Sequence, residues 1–106
     1  MPKYLFTGSY TAEGAKGLLK EGGSGRKRAT EEVAQSVGGK VEAYYFGFGT
    51  DDFYLIADLP NAAAAAAASL HASSSGALHI RTVVLITPEE MDEAAKLSVR
   101  YRPPGG

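Results

Sequence analysis

The sequence predicts an α+β domain built on a four-stranded antiparallel sheet. Three observations lead to this class. Four segments rich in aromatic and β-branched residues alternate with helical patterns in the order β-α-β-β-α-β, and one more helical pattern follows. Right-handed crossovers place both main helices on one face of such a sheet. The length of 106 residues suits a single domain. This order is that of the ferredoxin-like fold, here with an added C-terminal helix.

The first half of the chain predicts a strand, a helix and a second strand. Residues 3–10 are rich in aromatic and branched side chains, and Thr11 is a plausible N-cap for the helix that follows. The glycine-rich stretch at 21–25 should break or loosen this helix, because glycine costs about 1 kcal/mol against alanine in a helix, and helical spacing resumes after it. Gly38-Gly39 ends it, and residues 40–48 form the second strand.

The second half predicts a hairpin, a helix and a last strand. A turn at 49–52 joins the second strand to a third at 53–59. Pro60 and Asn61 then begin a helix through seven consecutive alanines, the best helix formers. This helix ends near residues 73–76, and the fourth strand covers 77–86.

A capping box predicts one further helix at the C-terminal end. Thr87 is the N-cap, Pro88 takes the first helical position and Glu90 the third, so the helix runs over about 88–98. We therefore expect one domain over residues 1–98 and a flexible tail over residues 99–106.

Composition excludes several functional classes. The 11 basic and 12 acidic residues give a net charge of −1, which does not favour nucleic-acid binding. The absence of cysteine excludes disulfides and thiolate zinc sites. No segment is long and apolar enough for a signal peptide or a membrane span. We expect a soluble cytoplasmic protein without a membrane or nucleic-acid partner.

Apolar side chains occur on both predicted faces of the sheet. Continuous alternation assigns to the second face the residues Leu5, Thr7, Ser9, Tyr44, Phe46, Phe48, Tyr54, Ile56, His79, Arg81, Val83 and Leu85. Such a face resembles an interface more than a solvated surface. We expect a second subunit to cover it in a dimer or a multiple of dimers. The alternative is that the C-terminal helix folds under the sheet.

The chemical motifs are few. The glycine-rich segment fails the phosphate-loop pattern, because Gly23 stands where the lysine should be. His71 and His79 have no carboxylates at metal-ligand spacing, so we expect no metal and no cofactor. Asp51 and Asp52 are adjacent, which suits a turn better than an acid–base pair.

Five residues are candidates for binding a small anionic or aromatic ligand, in a cleft between the sheet and its helices or at the dimer seam: Arg26, Tyr44, Tyr54, His79 and Arg81. The arginines would clamp an anion, His79 would act as a general base and the tyrosines would stack. The alternative is that His79 and Arg81 are interface residues paired with Glu42 or Asp58 of the same or another chain.

Three separated segments resemble one family. The segments 10–26, 48–52 and 82–90 are similar, in this order, to the corresponding parts of GYD-domain proteins. The resemblance covers about residues 3–97. The family is named for a Gly-x-Tyr-Asp turn, in which Gly49 and Asp52 match but Asp51 replaces the tyrosine. The resemblance implies a small bacterial-type domain similar to the dimeric α/β-barrel group, with no catalytic residues to carry over.

Three functional hypotheses remain open. The first is a self-associating domain without a catalytic set. The second is a small-molecule binder or cofactor-independent enzyme. The third is a protein-interaction module that uses an exposed edge strand.

Overall fold

Four strands and four helices make up the fold in the computed structural model, which describes residues 1–106. Their order confirms the predicted β-α-β-β-α-β pattern, with the first helix divided in two. The elements are β1 (Lys3–Tyr10), α1 (Ala12–Glu21), α2 (Gly23–Ser36), β2 (Lys40–Phe46), β3 (Phe53–Asp58), α3 (Ala62–Ser74), β4 (Leu78–Leu85) and α4 (Pro88–Lys96). None of the helices has the length and hydropathy needed to cross a membrane.

The sheet is antiparallel throughout, with the strand order β2-β3-β1-β4. This order is consistent with a ferredoxin-like fold. One side of the sheet, the helix face, carries Tyr4, Phe6 and Leu55, which are buried beneath the helices. The other side, the open face, carries Leu5, Tyr54 and Val83.

The predicted first helix is two helices that meet at Gly22. This residue has φ +82°, a left-handed conformation that glycine adopts without steric cost. Its N–H donates to the Leu18 carbonyl oxygen at 2.8 Å and so closes α1. At the other end of α1, the Thr11 hydroxyl accepts a hydrogen bond from the Gly14 N–H at 3.2 Å, which confirms the predicted cap.

The core is small and lies between the helix face and the helices. It consists of nine buried residues, namely Tyr4, Phe6, Ala34, Phe53, Leu55, Ala57, Leu59, Ala64 and Ala65. The alanines of α3 and Ala34 of α2 present small side chains to large ones on the sheet.

A β-bulge in β2 corrects the predicted assignment of residues to the two faces. Val41 lies opposite Ala57, whereas Ala43 lies opposite Ile56, so Glu42 is an extra residue in the ladder. Alternation restarts after the bulge. Tyr44 and Phe46, predicted on the second face, lie on the helix face, and Tyr45 occupies the open face. Period-two counting was wrong here because it assumes an uninterrupted strand.

Helix α4 forms as its capping box predicts but packs against nothing. The Thr87 hydroxyl accepts from the Glu90 N–H at 3.0 Å, and the Glu90 carboxylate accepts from the Thr87 N–H at 3.0 Å. No residue of α4 is buried. The chain is correspondingly elongated, with a radius of gyration of 16.6 Å against about 13 Å for a compact domain of this length. The alternative in which α4 folds under the sheet is therefore wrong.

Candidate functional site

A cavity of about 530 Å³ lies between the helix face of the sheet and the helices. Its floor consists mainly of apolar side chains, including the buried Phe6, Phe53 and Leu55. Its walls come from α1 and α2 on one side and from α3 on the other, and exposed residues such as Lys20 and His71 form its outer edge. The volume is within the range of small-molecule pockets, about 300–1,000 Å³.

Polar groups gather at one end of this cavity. Tyr10 of β1, Tyr44 of β2 and Arg26 of α2 all contribute to its lining. The Arg26 side chain is about one third exposed, and its Nη1 lies 3.5 Å from Oε1 of Glu21. The rings of Tyr10 and Phe53 are 5.5 Å apart between centroids, a distance typical of aromatic packing. The cavity is thus apolar with a hydrogen-bonding end.

Burial raises the pKa of Tyr10 far above its usual value, and the neighbouring Tyr44 side chain raises this pKa further. The nearby Arg26 charge opposes this rise in pKa without cancelling it. The Tyr10 hydroxyl therefore keeps its proton at neutral pH. It is a neutral donor at the polar end of the cavity.

The five predicted ligand-binding residues separate onto the two faces of the sheet. Tyr44 and Arg26 line the cavity. Tyr54, His79 and Arg81 lie on the open face, where all three are exposed. The five residues therefore do not line one shared cleft, contrary to the expectation from the sequence. Tyr10 was missed, because a residue at the end of a strand gives no sign in the sequence of the cavity beside it.

On the open face, Tyr45, Tyr54, Thr7 and Arg81 form one row across the sheet. The Arg81 guanidinium donates to both carboxylate oxygens of Asp51 in the β2–β3 turn. Asp51 is mostly buried by this contact, while Arg81 remains exposed. Arg81 is therefore engaged within its own chain, and His79 beside it faces no enclosed cavity.

Glu42 and Asp58, the alternative partners predicted for His79 and Arg81, both pair with Lys3 instead. The Lys3 Nζ lies 2.8 Å from Oδ1 of Asp58 and 3.0 Å from Oε1 of Glu42. The hydrogen bond from Lys3 is the main cause of a lowered Asp58 pKa, and the same contact raises the pKa of Lys3. The pairing of Arg81 with Glu42 or Asp58 is thus wrong within the chain.

Asp52 has a structural role in the turn that joins β2 to β3. Its Oδ2 accepts a hydrogen bond from the Tyr10 N–H at 2.9 Å, and its own N–H donates to the Gly8 carbonyl oxygen at 2.7 Å. The two adjacent aspartates therefore serve different partners and form no acid–base pair. Asp52 fixes the end of β1 and with it the position of Tyr10 in the cavity wall.

Replacing Asp52 by alanine is expected to lower the free energy of unfolding by about 1–2 kcal/mol, because the Tyr10 N–H loses its acceptor. Asp52→Asn keeps an acceptor oxygen and is expected to retain most of this stability. Urea denaturation of the three proteins measures the difference. Equal midpoints for wild type and Asp52→Ala would contradict the assigned role.

No group of three or more histidine or acidic side chains lies close enough to hold a metal ion. The residues around the cavity offer a guanidinium, an ammonium group, an imidazole, two phenolic hydroxyls and carboxylates, and no catalytic set is shown among them. Their chemistry suits recognition of a molecule by shape, hydrogen bonding and charge.

The comparisons with known proteins give a single result. The family model described as GYD domain matches residues 4–95, which is most of the chain. No curated protein and no solved structure shows a significant match.

Proposed function

The chain belongs to the GYD domain family, and we propose that it is a self-associating protein that binds a small molecule in each subunit. The cavity between the helices and the sheet carries the binding proposal. Its volume of about 530 Å³ and its mostly apolar lining suit a small molecule. Its hydrogen-bonding end, with Tyr10, Tyr44 and Arg26, would set the orientation of that molecule.

An experiment with a neutral probe tests the proposed site without assuming the charge of the ligand. We expect 2-naphthol to shift the backbone amide NMR signals of residues that line the cavity. Ala72→Trp, which fills the cavity from α3, is expected to abolish these shifts, while Ala63→Trp on the exposed side of the same helix leaves them unchanged.

Two results would reject the proposed binding site. Shifts that persist in Ala72→Trp, or that map to the open face, would place the probe elsewhere. Far-UV circular dichroism of both tryptophan variants verifies that each remains folded. A folded Ala72→Trp protein with full binding would therefore overturn the proposal.

The open face supports self-association. Tyr45 is 71% exposed, Tyr54 41% and Val83 45%, and they lie in adjacent rows of the sheet with Leu5 and Ile56. A contiguous apolar sheet face of this kind is typical of an interface. A second copy is the occupant that we propose, because two identical faces can cover each other about a two-fold axis.

Val83→Lys is expected to convert the assembly into single subunits, because two lysines would be buried in the symmetric interface. Size-exclusion chromatography with light scattering should give at least twice the 11.1 kDa subunit mass for wild type and one subunit mass for the variant. Leu70→Lys is the matched control, since Leu70 is 69% exposed but lies on α3. A wild-type monomer at micromolar concentration would reject self-association.

A further inference from the structure

We propose that the ligand of the cavity is a flat aromatic molecule with one carboxylate, whose ring lies among the aromatic side chains and whose carboxylate binds Arg26. This inference rests on the proposed small-molecule function and adds the chemical class. Three features of the cavity carry it, namely the unused donors of Arg26, the tyrosine hydroxyls beside it and the four aromatic side chains among its 16 hydrophobic lining residues.

Most of the donors of the Arg26 guanidinium are unused. Its contact with Glu21 joins a single pair of atoms at 3.5 Å, and its side chain donates none of the hydrogen bonds that the structure contains. A guanidinium has five N–H donors and no acceptor. A carboxylate matches two of these donors at once, in the bidentate geometry that makes arginine–carboxylate pairs strong.

The neighbouring hydroxyls favour the same kind of group. Tyr10 and Tyr44 line the cavity together with Arg26, and the buried Tyr10 hydroxyl keeps its proton at neutral pH. A protonated phenol donates to an oxyanion. The polar end therefore combines a fixed cation with neutral donors, which suits a negatively charged acceptor.

Two carboxylates also line the cavity, and they would favour a cationic ligand. Glu13 is exposed and is therefore screened by water more than a partly buried charge. The side chains of Glu21 and Arg26 are exposed to similar extents, 37% and 32%, and Glu21 is already paired with Arg26. A cationic ligand would also have to share its site with Arg26, while an anionic ligand replaces the long contact to Glu21 with a shorter one.

The apolar part of the site favours a ring. Four aromatic residues line the cavity, namely Phe6, Tyr10, Tyr44 and Phe53. Aromatic side chains pack against flat rings in offset or edge-to-face arrangements. The distance between the Tyr10 and Phe53 centroids, 5.5 Å, shows that the wall already has this type of packing.

The test compares 1-naphthoate with 1-naphthamide, which share a ring system and differ in charge. Calorimetric titration of the full chain is expected to give tighter binding of naphthoate. Arg26→Gln should weaken the binding of naphthoate by roughly ten- to a hundredfold and leave the binding of naphthamide unchanged. Glu21→Gln should strengthen the binding of naphthoate, because it frees Arg26 from its partner. Lys27→Gln makes the same charge change at the next, exposed residue and should have little effect.

The possible outcomes separate this inference from the proposed function. Equal binding of naphthoate and naphthamide would show that the site does not select a carboxylate, while the cavity remains a binding site. Equal losses of naphthoate affinity in Arg26→Gln and Lys27→Gln would show the same. If 2-naphthol binds but 1-naphthoate and 1-naphthamide do not, the aromatic-acid class is also wrong. If none of the three probes shifts the amide signals of the cavity, the proposed function itself fails.

Discussion

Gly14→Ala is expected to lower the free energy of unfolding by about 3 kcal/mol, near the upper end of the range for inserting atoms into a filled space. A Cβ at position 14 would lie 1.8 Å from the carbonyl oxygen of Ala77 and 2.8 Å from its carbonyl carbon. These are backbone atoms that cannot rotate away. The same carbonyl accepts the Thr11 N–H at 2.9 Å, so its displacement would also loosen the start of α1.

Gly17→Ala in the same helix is the matched control. No atom lies within 4 Å of the position that its Cβ would take. The same substitution should stabilise the protein by up to about 1 kcal/mol, because alanine is the better helix former. Urea denaturation of the two variants should therefore move the midpoint in opposite directions. Movement in the same direction would show that α1 does not contact Ala77 as described.

Leu59→Ala is expected to cost about 3 kcal/mol, as typically found when a buried leucine is truncated. Leu59 is 1% exposed, the lowest exposure among the buried hydrophobic side chains. It directly follows β3, where its N–H donates to the Pro2 carbonyl oxygen at 3.0 Å. With so small a core, few other contacts can compensate for the loss.

Leu70→Ala removes the same atoms from a residue that is 69% exposed, and its effect should stay within about 0.5 kcal/mol. Thermal or urea unfolding of the two variants measures the contrast. Similar losses in the free energy of unfolding at both positions would contradict the difference in burial between Leu59 and Leu70. Leu59 also lines the cavity, so its truncation should widen the cavity floor.

The parts of the fold that depend on local chemistry could be predicted from the sequence. The caps at Thr11, Asn61 and Thr87 form as expected, because each needs only residues within one helical turn. The order of strands and helices follows from hydrophobic periodicity in the same way. These signals place the elements correctly but contain little information about what each side chain contacts.

The site depended on contacts between distant residues, and these were only partly predictable. Arg26 and Tyr44 were correctly singled out, yet Tyr44 was assigned to the opposite face because nothing in the sequence marks the bulge at Glu42. The pairing of Arg81 with Asp51, 30 residues apart, depends on how the β2–β3 turn folds over β4. Leu19 is 87% exposed, whereas the adjacent Leu18 of the same helix lines the cavity.

The bulge at Glu42 has an evolutionary consequence. Because Glu42 is the extra residue in the ladder, deleting it would restore a regular strand with Val41 opposite Ala57 and Ala43 opposite Ile56. Tyr44 and Tyr45 would then keep their present surfaces. Related chains that lack one residue at this point should therefore keep both surfaces, whereas substitutions can alter either surface alone.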